Sequence, residues 1–417
     1  MNIPRLTALR PLLCASVLIL STAGWYADAN ADTGAASPAT VAPGDPPGLH
    51  AVTTWAAGVQ STTGPTTGQT VRNIIHTSVG GVGLRLTLSN VEGDAPVVFD
   101  AAFVGIPAQG AALVAGSNRR LTFGGRSEVT IPPGAAVLSD PLPGRVPAGH
   151  DLAVSVHIAA MGQVATGHNM YRTQTSYLST PGDHATDESP QAFTTPITRW
   201  FWLAAAQVDP VPQVGTLVAF GDSITDGYGS SVDANHRWPD FLAQRILAEP
   251  PPLQLGVANV GISGNELLRD GKGASALARF DRDVLDQPGV RTVILMEGGN
   301  DIGANNATAE QLIAGERELI ARAHAYGVCI LGATQTPMEG SGYYSAQHEA
   351  VRVEFNAWIR GSGEFDAVID FDAVTRDPQR PTRFLPAFDG AGHLHPNDAG
   401  YQAMADAIPL SDLSCSR

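Results

Sequence analysis

Four short segments carry residue types suited to the chemistry of an acyl group. "GDSITDG" (221–227) puts Ser223 where an apolar run turns toward a helix, a place where serine exposes its hydroxyl and adds its backbone N–H to an anion site. "NVGISGN" (259–265) contains Gly264, whose missing side chain lets a backbone N–H approach a ligand closely. "EGGND" (297–301) offers the side-chain amide of Asn300 as a donor. "PAFDGAGHLHPNDAGYQ" (386–402) places His393 and His395 two residues apart, with Asp389 before them and Asp398 after. A serine hydroxyl is a weak nucleophile at neutral pH and needs an adjacent base. The last segment therefore raises the question of which histidine is the base and which acid orients it. Taken singly, each segment also reads as structure, because Ser and Asp after a strand are commonly turn or cap residues. A metal site explains the histidine pair poorly, since no third ligand with a recognisable spacing accompanies it.

The elements that must position these residues follow from the hydrophobic period. "TLVAFGDS", "LGVANVGISG", "RTVILMEGGND", "GVCILGATQTP" and "AVIDFDA" are short apolar runs ending in small or polar residues. Between them, "TAEQLIAGERELIARAHAYG" and "EAVRVEFNAWIRG" have helical spacing. This alternation implies an α/β fold with a parallel sheet covered on both faces, in which ligands sit beyond the carboxyl ends of the strands. Ser223, Gly264 and Asn300 stand at three such ends.

The preceding residues have a different period. "VVFDAAFVG", "RLTFGG", "SEVTIPP" and "DLAVSVHIAA" are strand-like runs closed by Gly or Pro, and "TVRNIIHTSVGGVGLRLTLSN" predicts a hairpin. Residues 48–208 read as an all-β sandwich or jelly roll. "VDPVPQVG" (208–215) reads as the linker to a second domain over 209–417.

At the start, Arg5 and Arg10 precede the apolar run "PLLCASVLIL", and small residues follow up to Ala31. This pattern predicts a signal peptide over 1–31, a linker over 32–47 and an exported protein. The apolar run is short for a membrane span, and no later stretch is long enough. Cleavage after Ala31 removes Arg5, Arg10 and Asp28, a net +1, and takes the formal charge from −15 to −16. Such acidity argues against nucleic acid or anionic lipid as a partner. Cys329 and Cys415 then remain, either as a disulfide or as two buried thiols. No nucleotide-binding glycine loop with its lysine is present, so no nucleotide cofactor is expected.

"GDSI", "GISGN", "GGND" and "HLHPND" occur in the order and spacing of the GDSL, or SGNH, hydrolases, and residues 215–410 resemble that family. The N-terminal half resembles the β-domain that precedes this hydrolase in a group of secreted bacterial relatives. The resemblance implies a flavodoxin-like three-layer α/β/α fold and hydrolysis of carboxylic esters without a cofactor or metal. It makes Ser223 the nucleophile and His395 the base. The N–H groups of Ser223 and Gly264 and the amide of Asn300 then form the oxyanion hole, leaving His393 in a supporting role. The chain departs from the family at one position. The family acid lies three residues before the catalytic histidine, where this sequence has Gly392.

Three replacements are open. Asp389 can act if the Gly390-Ala391-Gly392 turn folds it back. A backbone carbonyl can accept the imidazole proton in a Ser–His dyad. A remoter carboxylate such as Asp372 or Asp398 can enter through tertiary structure, although Asp398 reads better as a helix cap. The expected function is a secreted serine esterase removing short acyl groups, with a carbohydrate as the favoured carrier. Its rivals are a lipase or lysophospholipase, and a non-catalytic glycan-binding protein that keeps the fold. The β-domain serves either to bind sugar, through Trp55 or Tyr171, or as a scaffold.

Overall fold

The computed structural model describes residues 51–169, 173–210, 214–250 and 254–415. The predicted signal peptide, the linker that follows it and Tyr171 lie outside these residues.

All five apolar runs form strands of one parallel sheet. In spatial order they are Leu255–Asn259, Gly215–Gly221, Val290–Met296, Cys329–Ala333 and Ala367–Ile369. Alternate residues feed two cores. Val218, Phe220, Val293, Leu295 and Ile330 pack with Phe280, Leu312, Leu319, Phe355 and Ile359. Leu217, Ala219, Ile294, Met296 and Leu331 pack with Trp238, Leu242, Tyr401 and Met404 on the other face. The helices Ala309–Ala325 and Ala346–Gly361 thus cover one face, and Trp238–Leu247 and Asp398–Asp406 cover the other. Three layers result, with both faces dry, which is why the strands read as continuous apolar runs.

The N-terminal part is a sandwich of antiparallel sheets. One sheet contains Val52–Ala56, Leu203–Asp209 and Gly81–Ser89; the other contains Thr70–His76, Asp151–Ala160 and Val97–Gly105. Leu84, Leu86 and Leu88 of the first face Val71, Ile75 and Val154 of the second in one core. This corrects the predicted hairpin. Thr70–His76 pairs with Asp151–Ala160, while Gly81–Ser89 pairs with Leu203–Asp209. The two runs are both apolar on the inner side, so they stack across the core rather than pair edge to edge. Trp55 is buried and packs edge-on against Trp200, with ring centroids 4.9 Å apart. It is therefore a scaffold residue and offers no exposed ring to a sugar.

The two parts share a polar, close-fitting junction. Thr53 N donates to Thr216 Oγ1 at 2.9 Å, and Val257 N donates to Ser78 Oγ at 2.8 Å. A Cβ on Gly58 would lie 2.6 Å from both Val260 O and Ile262 Cγ1. No helix among the described residues is long and apolar enough to cross a membrane.

Cys329 and Cys415 form a disulfide across 86 residues of sequence, tying the C-terminal segment to the head of a central strand. Closing so long a loop restricts the unfolded chain. Cys415→Ser is expected to lower the unfolding free energy by about 2–4 kcal/mol. Denaturant melts should show that difference in oxidising buffer and none once the parent protein is reduced.

Candidate active site

The end of the strand Gly215–Gly221 turns directly into the short helix Ser223–Asp226. Asp222 caps it, accepting from Ile224 N at 2.9 Å, and Gly227 closes it with φ 92°. Gly221 has no room for a side chain, since a Cβ there would lie 2.5 Å from Met296 O. The turn holds Ser223 nearly buried at the rim of the sheet, with Oγ 2.9 Å from His395 Nε2.

His395 arrives on the final loop. Its ring lies against Tyr228, with centroids 4.4 Å apart. Its Nδ1 donates to Ala391 O at 3.1 Å, which leaves Nε2 as the acceptor facing Ser223. Burial pushes its pKa below the ordinary histidine value, against the opposing pull of the Ala391 carbonyl and Asp226.

Asp389 does not reach this ring. Its Oδ2 lies 2.6 Å from His393 Nδ1, so this candidate acid is paired with the other histidine. The geometric reason is the fold of the loop. Asp389 bridges to Pro396 across the turn, and a Cβ on Gly390 would lie 2.7 Å from His395 O. That tight return sends the carboxylate to the outer side, where His393 is exposed, while His395 points inward. The remoter carboxylates are also engaged. Asp372 is held by Arg352, Arg360 and Arg376. Asp398 accepts from Ser231 N and meets His236 Nδ1, and the helix cap predicted for it is supplied by Asn397 instead.

Gly264 has φ 80°, a conformation that glycine adopts without strain, and lies in the turn after the strand Leu255–Asn259. Among the described residues, no acceptor takes its N–H or that of Ser223. Asn300 is in the first turn of the helix Gly299–Asn305. Its Nδ2 donates to Asn265 O at 2.8 Å and to Asp222 Oδ2 at 3.1 Å, while its Oδ1 accepts from Tyr343 OH at 3.0 Å. Ser223, Gly264, Asn300 and His395, drawn from four separate segments, are thus assembled around one end of the sheet.

Several supporting residues are not among the candidates that the sequence singles out. Asp222 is buried, and its carboxyl is pushed up to about 7 by burial, with Asp301 and Asp226 adding to the rise and Arg279 opposing it. Asp301 accepts from the N–H groups of Leu267 and Leu268, fixing the chain just after Gly264. Tyr343 orients the Asn300 amide from a distant loop. A hint for Asp222 and Asp301 lay in their places beside Ser223 and Asn300; Tyr343 had none.

Residues 219–403 match the GDSL-like lipase/acylhydrolase family. Among solved structures, an aryl esterase of M. smegmatis is 17% identical with a TM-score of 0.39, and the match covers 46% of this chain and 95% of that one. A member of the lipolytic protein G-D-S-L family from Veillonella parvula DSM 2008 is 21% identical at TM-score 0.35, covering 46% and 94%. A carbohydrate acetylesterase family member from Sinorhizobium meliloti is 16% identical at TM-score 0.37, also covering 46% and 94%. No curated protein matches the chain. Residues 219–403 are a GDSL-like lipase/acylhydrolase domain, of a family of carboxylic ester hydrolases, preceded here by an all-β region.

Proposed function

We propose that the protein is an exported serine esterase that hydrolyses short-chain carboxylic esters through a Ser223–His395 dyad, with an acylated carbohydrate as its substrate class. The 2.9 Å contact between Ser223 Oγ and His395 Nε2 carries the reading. In the first step Ser223 Oγ attacks the ester carbonyl carbon and its proton passes to His395 Nε2. The resulting imidazolium keeps its Nδ1 proton on the Ala391 carbonyl. The oxyanion sits against the N–H groups of Ser223 and Gly264, and takes one Asn300 Nδ2 hydrogen in place of the longer bond to Asp222. His395 then protonates the leaving alcohol, and water enters by the same route in reverse to release the acid. Export rests on the N-terminal pattern of Arg5, Arg10 and the apolar run after them. The carbohydrate carrier rests on that export and on the accessory β-domain.

Two tests follow. On p-nitrophenyl acetate, Ser223→Ala and His395→Ala should each lower kcat by about 10³-fold or more. Asp389→Asn should change it by less than about threefold, because its carboxylate serves His393. Activity equal in the parent and the Ser223→Ala protein would refute the assignment. The second test is the pH profile. His395 must be neutral to accept the proton, and burial lowers its pKa, so the base stays active below the ordinary histidine range. The acid limb of kcat/KM should have its midpoint below pH 6.5 and vanish into a plateau above it. A midpoint above pH 7 would contradict the burial argument.

A further inference from the structure

A buried histidine of the β-domain lies directly behind the catalytic turn. His168 belongs to the strand Val164–Asn169, and both it and Asp226 are 2% exposed. Its Nε2 is 2.9 Å from Asp226 Oδ1, and its Nδ1 is 2.6 Å from Gly58 O. A carbonyl oxygen only accepts, so Nδ1 carries a proton. The other Asp226 oxygen already receives two donors, Ser263 Oγ at 2.5 Å and Ser263 N at 3.2 Å. Two donors on one oxygen and the imidazole on the other hold the carboxyl group in one orientation. One proton lies between Nε2 and Oδ1, and the pair is a buried histidine–carboxyl link across the junction.

The link touches both turns that supply backbone donors. Asp226 ends the short helix that starts at Ser223, and Ser263 is the residue before Gly264. One carboxylate thus fixes the spacing of the Ser223 and Gly264 N–H groups. The two turns are in close contact, since a Cβ on Gly261 would lie 2.4 Å from Asp226 N. His168 in turn is immobilised from the β-domain side. It stacks on Trp200 with centroids 5.4 Å apart, and Trp200 Nε1 donates to Ile74 O at 2.6 Å. Gly58, whose carbonyl holds Nδ1, rests directly on Val260 and Ile262, the approach to the Gly264 turn.

We infer that His168 is a positioning residue for ester hydrolysis: through Asp226 and Ser263, the β-domain sets the geometry of the oxyanion hole. The inference rests on the Ser223 reading above. It makes the β-domain part of the catalytic apparatus, with no contact between His168 and substrate. A displacement of about 1 Å in such a site costs about 10²-fold in rate.

The test uses the full chain with p-nitrophenyl acetate as substrate. His168→Gln and Asp226→Asn should each lower kcat by about 10–100-fold while KM moves less than about threefold. The double variant should be no slower than Asp226→Asn alone, because His168 acts through that carboxylate. His157→Gln is the control. His157 Nδ1 also meets a carboxylate, Asp100 Oδ1 at 2.6 Å, but within the β-domain, and its loss should leave kcat unchanged. NMR of the 15N-labelled protein gives a readout independent of turnover. The Ser223 and Gly264 amide signals should move in His168→Gln and stay in place in His157→Gln. Undisturbed amides with unchanged kcat in a folded His168→Gln protein would overturn the inference. If the parent protein has no Ser223-dependent activity, the catalytic reading fails by itself, and the NMR shifts decide the structural link alone.

Discussion

The arrangement at the sheet end depends on one cation with no solvent exposure. Arg279 donates to the carbonyls of Gly221 and Val260 and to Asn265 Oδ1, and it meets Glu297 and Asp283. Parallel strands that stop together leave carbonyls without ladder partners, and buried unpaired acceptors are costly. A planar guanidinium with five donors satisfies several at once in a fixed geometry. Here it spans the carboxyl end of one strand, at Gly221, and the chain just past two others, at Val260 and Glu297, from which the Ser223 turn, the Gly264 turn and the Asn300 helix all start. Its stacking over the Phe220 ring, 4.1 Å from the centroid, orients the plane. Deleting one partner of such a buried set is costly because the others are left charged or unpaired. Glu297 shows the tension. Burial and the nearby Asp222 carboxyl push its pKa well up, and Arg279 only partly offsets them.

Much of this architecture was legible because it is periodic. Each predicted apolar run in the second half is a strand, since a sheet buried on both faces leaves no polar alternation to confuse the reading. The residues flanking the turns were legible too, because the tight Gly221–Ser223 turn and the positive φ of Gly264 demand particular residue types. What failed was pairing across distance. The run 70–89 looked like a hairpin, and nothing in its period distinguishes two strands that pair from two that stack. The link from His168 to Asp226 was invisible for the same reason: 58 residues separate its members, and each is unremarkable alone. Tyr343 at Asn300 is another contact of this type.

The histidine loop shows how a small departure reorganises a site. Gly392 has φ 68°, and a Cβ there would meet nothing within 4 Å, so the position that holds the family acid opens onto free space. The loop instead folds back through Gly390, and the carbonyl one residue earlier, Ala391 O, meets Nδ1 of His395. Asp389 is left to serve His393, the exposed ring. Two imidazoles two residues apart thus have different partners because the chain between them is coiled: Ala391–His393 is a 3-10 turn and His393 itself has φ 54°, whereas an extended chain would point them to the same side.

Replacing a carboxylate by a carbonyl changes the proton transfer in two opposing ways under the proposed mechanism. A dipole stabilises the imidazolium less than a full negative charge, so His395 pulls the Ser223 proton less strongly and the attack is slower. Burial acts in the same direction by disfavouring the charged ring. The same weakness makes the imidazolium a stronger acid once formed, which speeds protonation of the departing alcohol. Such a dyad is best matched to esters whose carbonyl is easily attacked and whose alcohol leaves only with help. A short acyl group on a sugar hydroxyl has that character: little bulk at the carbonyl and an alkoxide that leaves poorly unless protonated. Catalysis then relies more heavily on the oxyanion donors, and hence on whatever fixes their spacing.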